Sequence, residues 1–224
     1  MRNPWADLPR VAPFVLPDDR PFVEAFNHWW PRGSHHHLDL TMFPDPFVGR
    51  RTAPIVMLAR NPGIGGGADR RLHRSRSDLK RIMRQQLTAS PGRATHTYLL
   101  PEFEGTPGGK WWRSALRYLA DDGINDATLA KSVLAIEFHG YHSTGYSTMP
   151  VTLPSQHYGF WLVRQAMDRG ALILLVRGRR DWTIAVPELL DYDGLLANRN
   201  PRSASVSPGT YGTSGYRRIR ALLD

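Results

Sequence analysis

Pro54-Ile55-Val56-Met57-Leu58-Ala59-Arg60-Asn61-Pro62-Gly63 is the stretch that decides the fold. A short apolar run closed by an asparagine-proline-glycine turn reads as a buried strand with the turn at its carboxyl end. A second pair follows the same pattern: Gly194-Leu195-Leu196-Ala197, then Asn198-Arg199-Asn200-Pro201-Arg202-Ser203. Apolar runs also occupy 132–138 and 171–176. Helical spacing falls between and around them, at 20–30, 78–87, 110–120, 155–168, 182–190 (with Asp181 as N-cap) and 213–223. Strands alternating with helices imply βαβ units. The expected fold is α/β: a three-layer αβα domain with a central, mainly parallel four-stranded sheet flanked by helices. It spans 1–224 as a single domain, with 1–50 forming an N-terminal arm and helix packed on it. Open parallel sheets bind ligands outside the carboxyl ends of their strands. Asn61 and Asn200 are therefore expected to face one pocket.

Composition narrows the function. The 224 residues are 41% hydrophobic, enough for a substantial core. No apolar run approaches the ~20 residues of a membrane span, and Met1-Arg2-Asn3-Pro4-Trp5 has no signal-peptide character. A cytoplasmic monomer without membrane contact is the expectation. With no cysteine, disulfides, thiolate zinc sites, cysteine nucleophiles and iron-sulfur clusters are excluded. A formal net charge of +9 favours a polyanion such as DNA. The basic residues cluster at Arg70, Arg71, Arg74, Arg76, Lys80, Arg81 and Arg84, at Arg177, Arg179 and Arg180, and at Arg217, Arg218 and Arg220. A merely basic soluble protein is the bland alternative.

Two patterns invite over-reading. Adjacent His35-His36-His37 cannot all reach one metal from extended chain, and no metal is expected. Gly63-Ile64-Gly65-Gly66-Gly67-Ala68 matches the dinucleotide fingerprint after a strand, but basic residues follow and no acid appears at the ribose position. A flexible turn, or glycines that keep bulk away from a substrate, fits equally well. No cofactor is expected.

The strand-turn pairs are similar to motifs of the uracil-DNA glycosylase superfamily. The segment 55–63 resembles the first motif of its mismatch-specific branch, which carries Asn-Pro-Gly where uracil-specific enzymes carry Asp-Pro-Tyr. The segment 195–203 resembles the last motif, with Arg202 interrupting Asn-Pro-Ser and Ser203 standing one place later. Leu172-Ile173-Leu174-Leu175-Val176-Arg177-Gly178 is similar to the third core strand, and Val133-Leu134-Ala135-Ile136-Glu137-Phe138 takes the place of the second. The likeness covers roughly 50–224. It implies a DNA glycosylase, with Asn61 positioning water and Asn200 touching the flipped base or bracing the closing loop. Either asparagine equally suits ordinary turn chemistry.

Cleaving an N-glycosidic bond passes through an oxocarbenium-like sugar while the base leaves with negative charge. The enzyme must expose the base, place a water and stabilise charge. An amide can hold a water through its carbonyl oxygen but cannot take its proton as a carboxylate can. Simple hydrolysis leaving an abasic site is expected, because neither motif supplies a Schiff-base lysine. Ser203, Ser205, Ser207 and Arg202, with Arg177 and Arg179, are candidates to hold DNA. Val206 or Tyr211 is a candidate wedge into the gap left by the base.

Gly63 stands where a tyrosine blocks C5 in uracil-specific enzymes, so thymine, mismatched uracil or a C5-modified cytosine, including those of phage DNA, should fit. Base excision and antiviral defence are both compatible roles. Glu137, His139 and His142 follow the second strand, where the resemblance places base reading; Glu accepts from an amine such as cytosine N4. Tyr98 and Phe103 are candidates to stack on the base. Of Trp111 and Trp112, at most one faces inward. The competing readings are a catalytically silent nucleic-acid-binding module and a nicotinamide-dependent enzyme.

Overall fold

The computed structural model describes residues 1–200 and 202–223. Pro201, part of the second asparagine-proline turn, lies outside the described residues. The chain forms an α/β fold around one sheet, with strands β1 (Phe47–Gly49), β2 (Ile55–Ala59), β3 (Val133–Glu137), β4 (Leu172–Leu175) and β5 (Leu195–Ala197). The helices are α1 (Arg20–Trp29), α2 (Gly67–Ser75), α3 (Ser77–Thr88), α4 (Pro107–Asp121), α5 (Asp126–Ser132), α6 (Gln156–Asp168), α7 (Arg179–Ala185) and α8 (Pro208–Arg220).

Strand order is β1-β3-β2-β4-β5. The four expected strands pair in parallel, with Met57 opposite both Ala135 and Leu174. The sheet has five strands, however, and is mixed: β1 pairs antiparallel with β3, Val48 opposite Ala135. Three residues are too few to show a period, and Pro44 and Pro46 just before them read as loop. The central strands are buried along almost their whole length, because a parallel sheet is covered on both faces.

Leaving β2, the chain goes to β3 on one side; leaving β4, it goes to β5 on the other. The crevice between the carboxyl ends of β2 and β4 is therefore the topological switch point, the favoured ligand position in such sheets.

One cluster of buried apolar side chains runs from Trp5 to Leu223. The N-terminal arm belongs to it. Trp5, Leu8, Phe14, Val15 and Leu16 are buried, and Arg84 donates to the carbonyls of Leu8 and Pro9.

The expected helix at 182–190 is shorter and begins earlier. It is α7, entered from Gly178 (φ 76°), and Pro187 opens a separate 3-10 turn. Asp181 sits inside its first turn rather than at the cap. Two further helices, α2 and α5, were not expected. In α8 the chain breaks at Gly212 (φ 72°), where a Cβ would meet the Arg199 guanidinium at 2.7 Å. The helix expected at 213–223 is the part after this break.

No described helix is long and apolar enough to cross a membrane.

Candidate functional site

The turn after β2 is tied to the loop after β3. Main-chain bonds run from Phe138 N to Ala59 O (3.1 Å) and from His139 N to Arg60 O (3.0 Å). The Asn61 amide nitrogen donates to Ser143 Oγ (2.9 Å) and to Pro62 O (3.2 Å). Ser143 Oγ–H donates to Gly145 O (3.0 Å). A hydroxyl has one proton, and here a carbonyl takes it, so Ser143 can only accept from Asn61. The network thereby fixes the orientation of the Asn61 amide. Its carbonyl oxygen has no hydrogen-bond partner among the described residues.

Behind this turn lies a buried ionic group. His142 reaches the carbonyl of Gly63 through Nδ1 (2.9 Å) and that of Phe43 through Nε2 (2.9 Å), with Asp45 Oδ2 3.5 Å away. Carbonyl oxygens only accept, so both ring nitrogens must carry protons and the ring is an imidazolium. Burial disfavours that charge, but the bond and charge of Asp45, the Gly63 carbonyl and Asp69 outweigh it and raise its pKa. The Tyr98 hydroxyl donates to the same Asp45 oxygen. His73 receives the Phe43 amide proton on Nδ1 (2.8 Å) and stays neutral, its pKa pushed to about 3 by burial and by His142.

At the carboxyl end of β3, burial and the charge of Asp45 push Glu137 up to about 8. Burial pushes His139 down to about 4. Glu137 Oε2 and His139 Nδ1 are buried with no hydrogen-bond partner among the described residues. Both residues line a cavity of about 10 Å³, room for one water. Perturbed and unpartnered groups at a strand end make this a candidate site.

Several sequence-based assignments need correction. His142 does not read a base: it is buried, and both its nitrogens are committed. Tyr98 and Phe103 pack edge-to-face with each other in the core (5.7 Å), and a Cβ on Gly108 would strike the Tyr98 ring at 2.4 Å. Neither offers a face to a base. Val206 and Tyr211 are buried, so neither projects as a wedge. Ser207 caps α8, its hydroxyl receiving Thr210 N (3.3 Å). Of the two tryptophans one faces inward: Trp112 is buried edge-on to His96 (4.4 Å), while Trp111 is exposed.

Asn200 is exposed. Its side-chain oxygen accepts from Arg202 N (3.3 Å), an Asx-turn. The residue that organises this loop is Asn198. It accepts from Asn200 N (2.7 Å) and donates to Ser203 O (2.6 Å) and Val176 O (3.4 Å). Ser203 Oγ accepts from Ser205 N (3.2 Å).

The basic clusters are only partly neutralised. In α2 and α3, Arg70 pairs with Asp39 (2.9 Å), Arg76 with Asp78 (2.7 Å), and Arg84 holds main-chain carbonyls, while Arg71, Arg74 and Arg81 are exposed with no acidic partner among the described residues. The carboxyl edge of the sheet carries a second such group. Arg177, Arg179, Arg180, Arg199 and Arg202 are exposed, with no acidic partner among the described residues. Arg60 stacks on Tyr146 (4.9 Å), which stacks in turn on His139 (5.8 Å).

The glycine-rich turn leads into α2, but Asp69 Oδ2 already accepts from Gly65 N (2.9 Å). A carboxyl group thus fills the place a dinucleotide phosphate would need. Gly65 serves another purpose: a Cβ there would lie 2.5 Å from Pro107 at the start of α4.

Sequence reasoning missed Asp45, His73, Asp69, Ser143 and Asn198. Among the described residues, no group of three or more acidic or histidine side chains could hold a metal. The candidate site thus gathers at the carboxyl ends of β2 and β3, with a fixed amide, a buried ion pair and a basic rim beside it. Comparisons with protein-family models, curated proteins and solved structures gave no match.

Proposed function

We propose that this chain is a monofunctional DNA glycosylase with a three-layer αβα, uracil-DNA-glycosylase-like domain. It hydrolyses the N-glycosidic bond of a flipped pyrimidine and leaves an abasic site. The observation that carries this reading is the orientation of Asn61. Its amide nitrogen is consumed by Ser143, and its carbonyl oxygen is left free at the carboxyl end of β2 to hold the attacking water. The likeness of 55–63 and 195–203 to the glycosylase motifs supports the same assignment.

The substrate class follows from Gly63. A Cβ built there meets nothing within 4 Å, so the space beside the turn is open and a group at C5 meets no wall. Mismatched thymine or uracil and C5-modified cytosines fit this opening. Glu137, neutral below about pH 8, has a proton as well as an acceptor for the water-sized cavity beside it. Arg177, Arg179 and Arg202 supply phosphate contacts at the rim.

A silent nucleic-acid-binding module is the second reading. The observation that favours it is the cavity beside Glu137 and His139, which at about 10 Å³ admits a water and not a base.

The deciding experiment incubates the protein with duplexes carrying uracil, thymine mismatches and C5-modified cytosines, a glucosylated one included, and scores abasic sites. Product from at least one duplex, falling roughly 100-fold in Asn61→Ala with DNA affinity retained, is the expected result. Salt-sensitive binding without product from any duplex would establish the second reading instead.

A further inference from the structure

The N-terminal segment around 29–39 lies outside the motifs that carry the proposed function, yet it borders the same site. Gly145 N donates to His35 O (2.7 Å), His36 Nδ1 bonds Gly145 O (3.0 Å), and Asp39 N donates to His142 O (2.8 Å). Gly145 O also accepts from Ser143, which accepts from Asn61. From His36 to the Asn61 amide the path is thus three hydrogen bonds. Trp30 packs edge-on against His36, with ring centroids 4.5 Å apart.

This border is aromatic and basic. Trp29 is 80% exposed, Trp30 36% and Phe22 39%. Phe22, Ala25 and Trp29 follow i, i+3, i+7 spacing on α1, so one side of the helix is apolar and uncovered. Arg32 and His35 are exposed beside them. Of the nearby acids, Glu24 pairs with Arg20 (3.6 Å) and Asp39 with Arg70 (2.9 Å), while Asp18 is exposed just before α1. Large exposed aromatics mark a contact surface. Exposed aromatics beside Arg32, which has no acidic partner among the described residues, suit single-stranded nucleic acid, whose bases stack while its phosphates seek positive charge. A second copy of a chain with net charge +9 is a poorer match, because like charges would face each other.

We propose that Trp29, Trp30, Arg32 and His35 form a ledge that stacks the unpaired bases of a single nucleic-acid strand next to the Asn61 turn. The proposal rests on reading the chain as a nucleic-acid enzyme, and it assigns the N-terminal arm the role of holding the strand that flanks the excised base.

The test measures tryptophan fluorescence and affinity for a short oligothymidylate, and for polyphosphate as a polyanion without bases. Trp30→Ala should weaken oligothymidylate binding about tenfold and leave polyphosphate binding within about twofold. Trp30→Phe, which keeps a ring, should restore most of the loss, and thermal melts of each variant check folding. The ledge is refuted if the wild type does not bind oligothymidylate, if Trp30→Ala binds it as the wild type does, or if both ligands weaken together. It is also refuted if the wild type sediments as a dimer that Trp29→Ala dissociates. Binding needs no excision. A protein that cuts no base yet shows ring-dependent binding removes the glycosylase reading and leaves the ledge standing.

Discussion

The two asparagine turns look alike in sequence and differ in what surrounds them. The Asn61-Pro62-Gly63 turn is backed by a buried imidazolium, a carboxylate and a serine bridge. The Asn200 turn is exposed and held by one inner amide, Asn198. An asparagine thus sits on a rigid mount in one place and at the exposed surface in the other. Rigidity at Asn61 comes mainly from groups about 80 residues away in sequence, whereas Asn200 is ordered mainly by Asn198 and Ser203 beside it, with Val176 anchoring Asn198.

Removing the support of the first turn should have the largest effect. Asp45→Ala leaves the His142 imidazolium without its counter-charge in a buried setting, an expected loss of about 3–5 kcal/mol in urea unfolding. A loss under about 1 kcal/mol would show that the ion pair is not what fixes Gly63.

The pH dependence sharpens the contrast, because most of the titrating groups lie around the first turn, with His96 in the core against Trp112. His73, His96 and His139 have folded pKa values of about 3, 3 and 4, all below the unfolded 6.5. Their contribution is complete above about pH 6.5 and disappears as pH falls toward 4. Three such groups give an initial slope of up to about 4 kcal/mol per pH unit. His142 runs the other way: its raised pKa stabilises the fold below 6.5, and that contribution is lost as pH rises through the folded value. Glu137, raised to about 8, loses stability between about pH 4.5 and 8. Stability measured from pH 4 to 9 should therefore rise steeply to near neutrality and then decline. Glu137→Gln should flatten the alkaline arm. An unchanged alkaline arm in that variant would mean that Glu137 is solvated.

The second turn should respond least. Asn198→Ala removes an amide bonded to Ser203 O and Val176 O, for about 1–2 kcal/mol. Asn200→Ala should stay within about 0.5 kcal/mol. A reversed order in chemical denaturation would overturn the comparison.

The sequence made much of this legible. Three strands were readable because Ile55, Val56, Leu134, Ile173 and their neighbours form uninterrupted apolar runs that suit a doubly covered sheet, and the half-buried edge strand β5 was readable from the asparagine turn that follows it. Helix α2 was hidden because Leu72 is its one long aliphatic side chain, so no apolar stripe announces it. Asn61 was recognisable from its turn, and Glu137 and His139 from their position after a strand. Asp45 was not: a lone acid between Pro44 and Pro46 looks like loop until Tyr98 and His142, 53 and 97 residues away, close on it. The wedge and stacking assignments failed for a related reason. Aromatic and aliphatic residues near a motif satisfy a core as readily as a ligand, and Tyr98, Phe103, Val206 and Tyr211 went to the core.

Both outer strands of the sheet are only three residues long. A strand so short presents few free amides and carbonyls to another chain, and Gly49, whose added Cβ would lie 2.2 Å from Val133 O, ends β1 in a conformation (φ 121°) that side chains avoid. Edge-to-edge polymerisation is thereby denied a template, so concentrated preparations should resist fibril growth even where the basic surface invites other association.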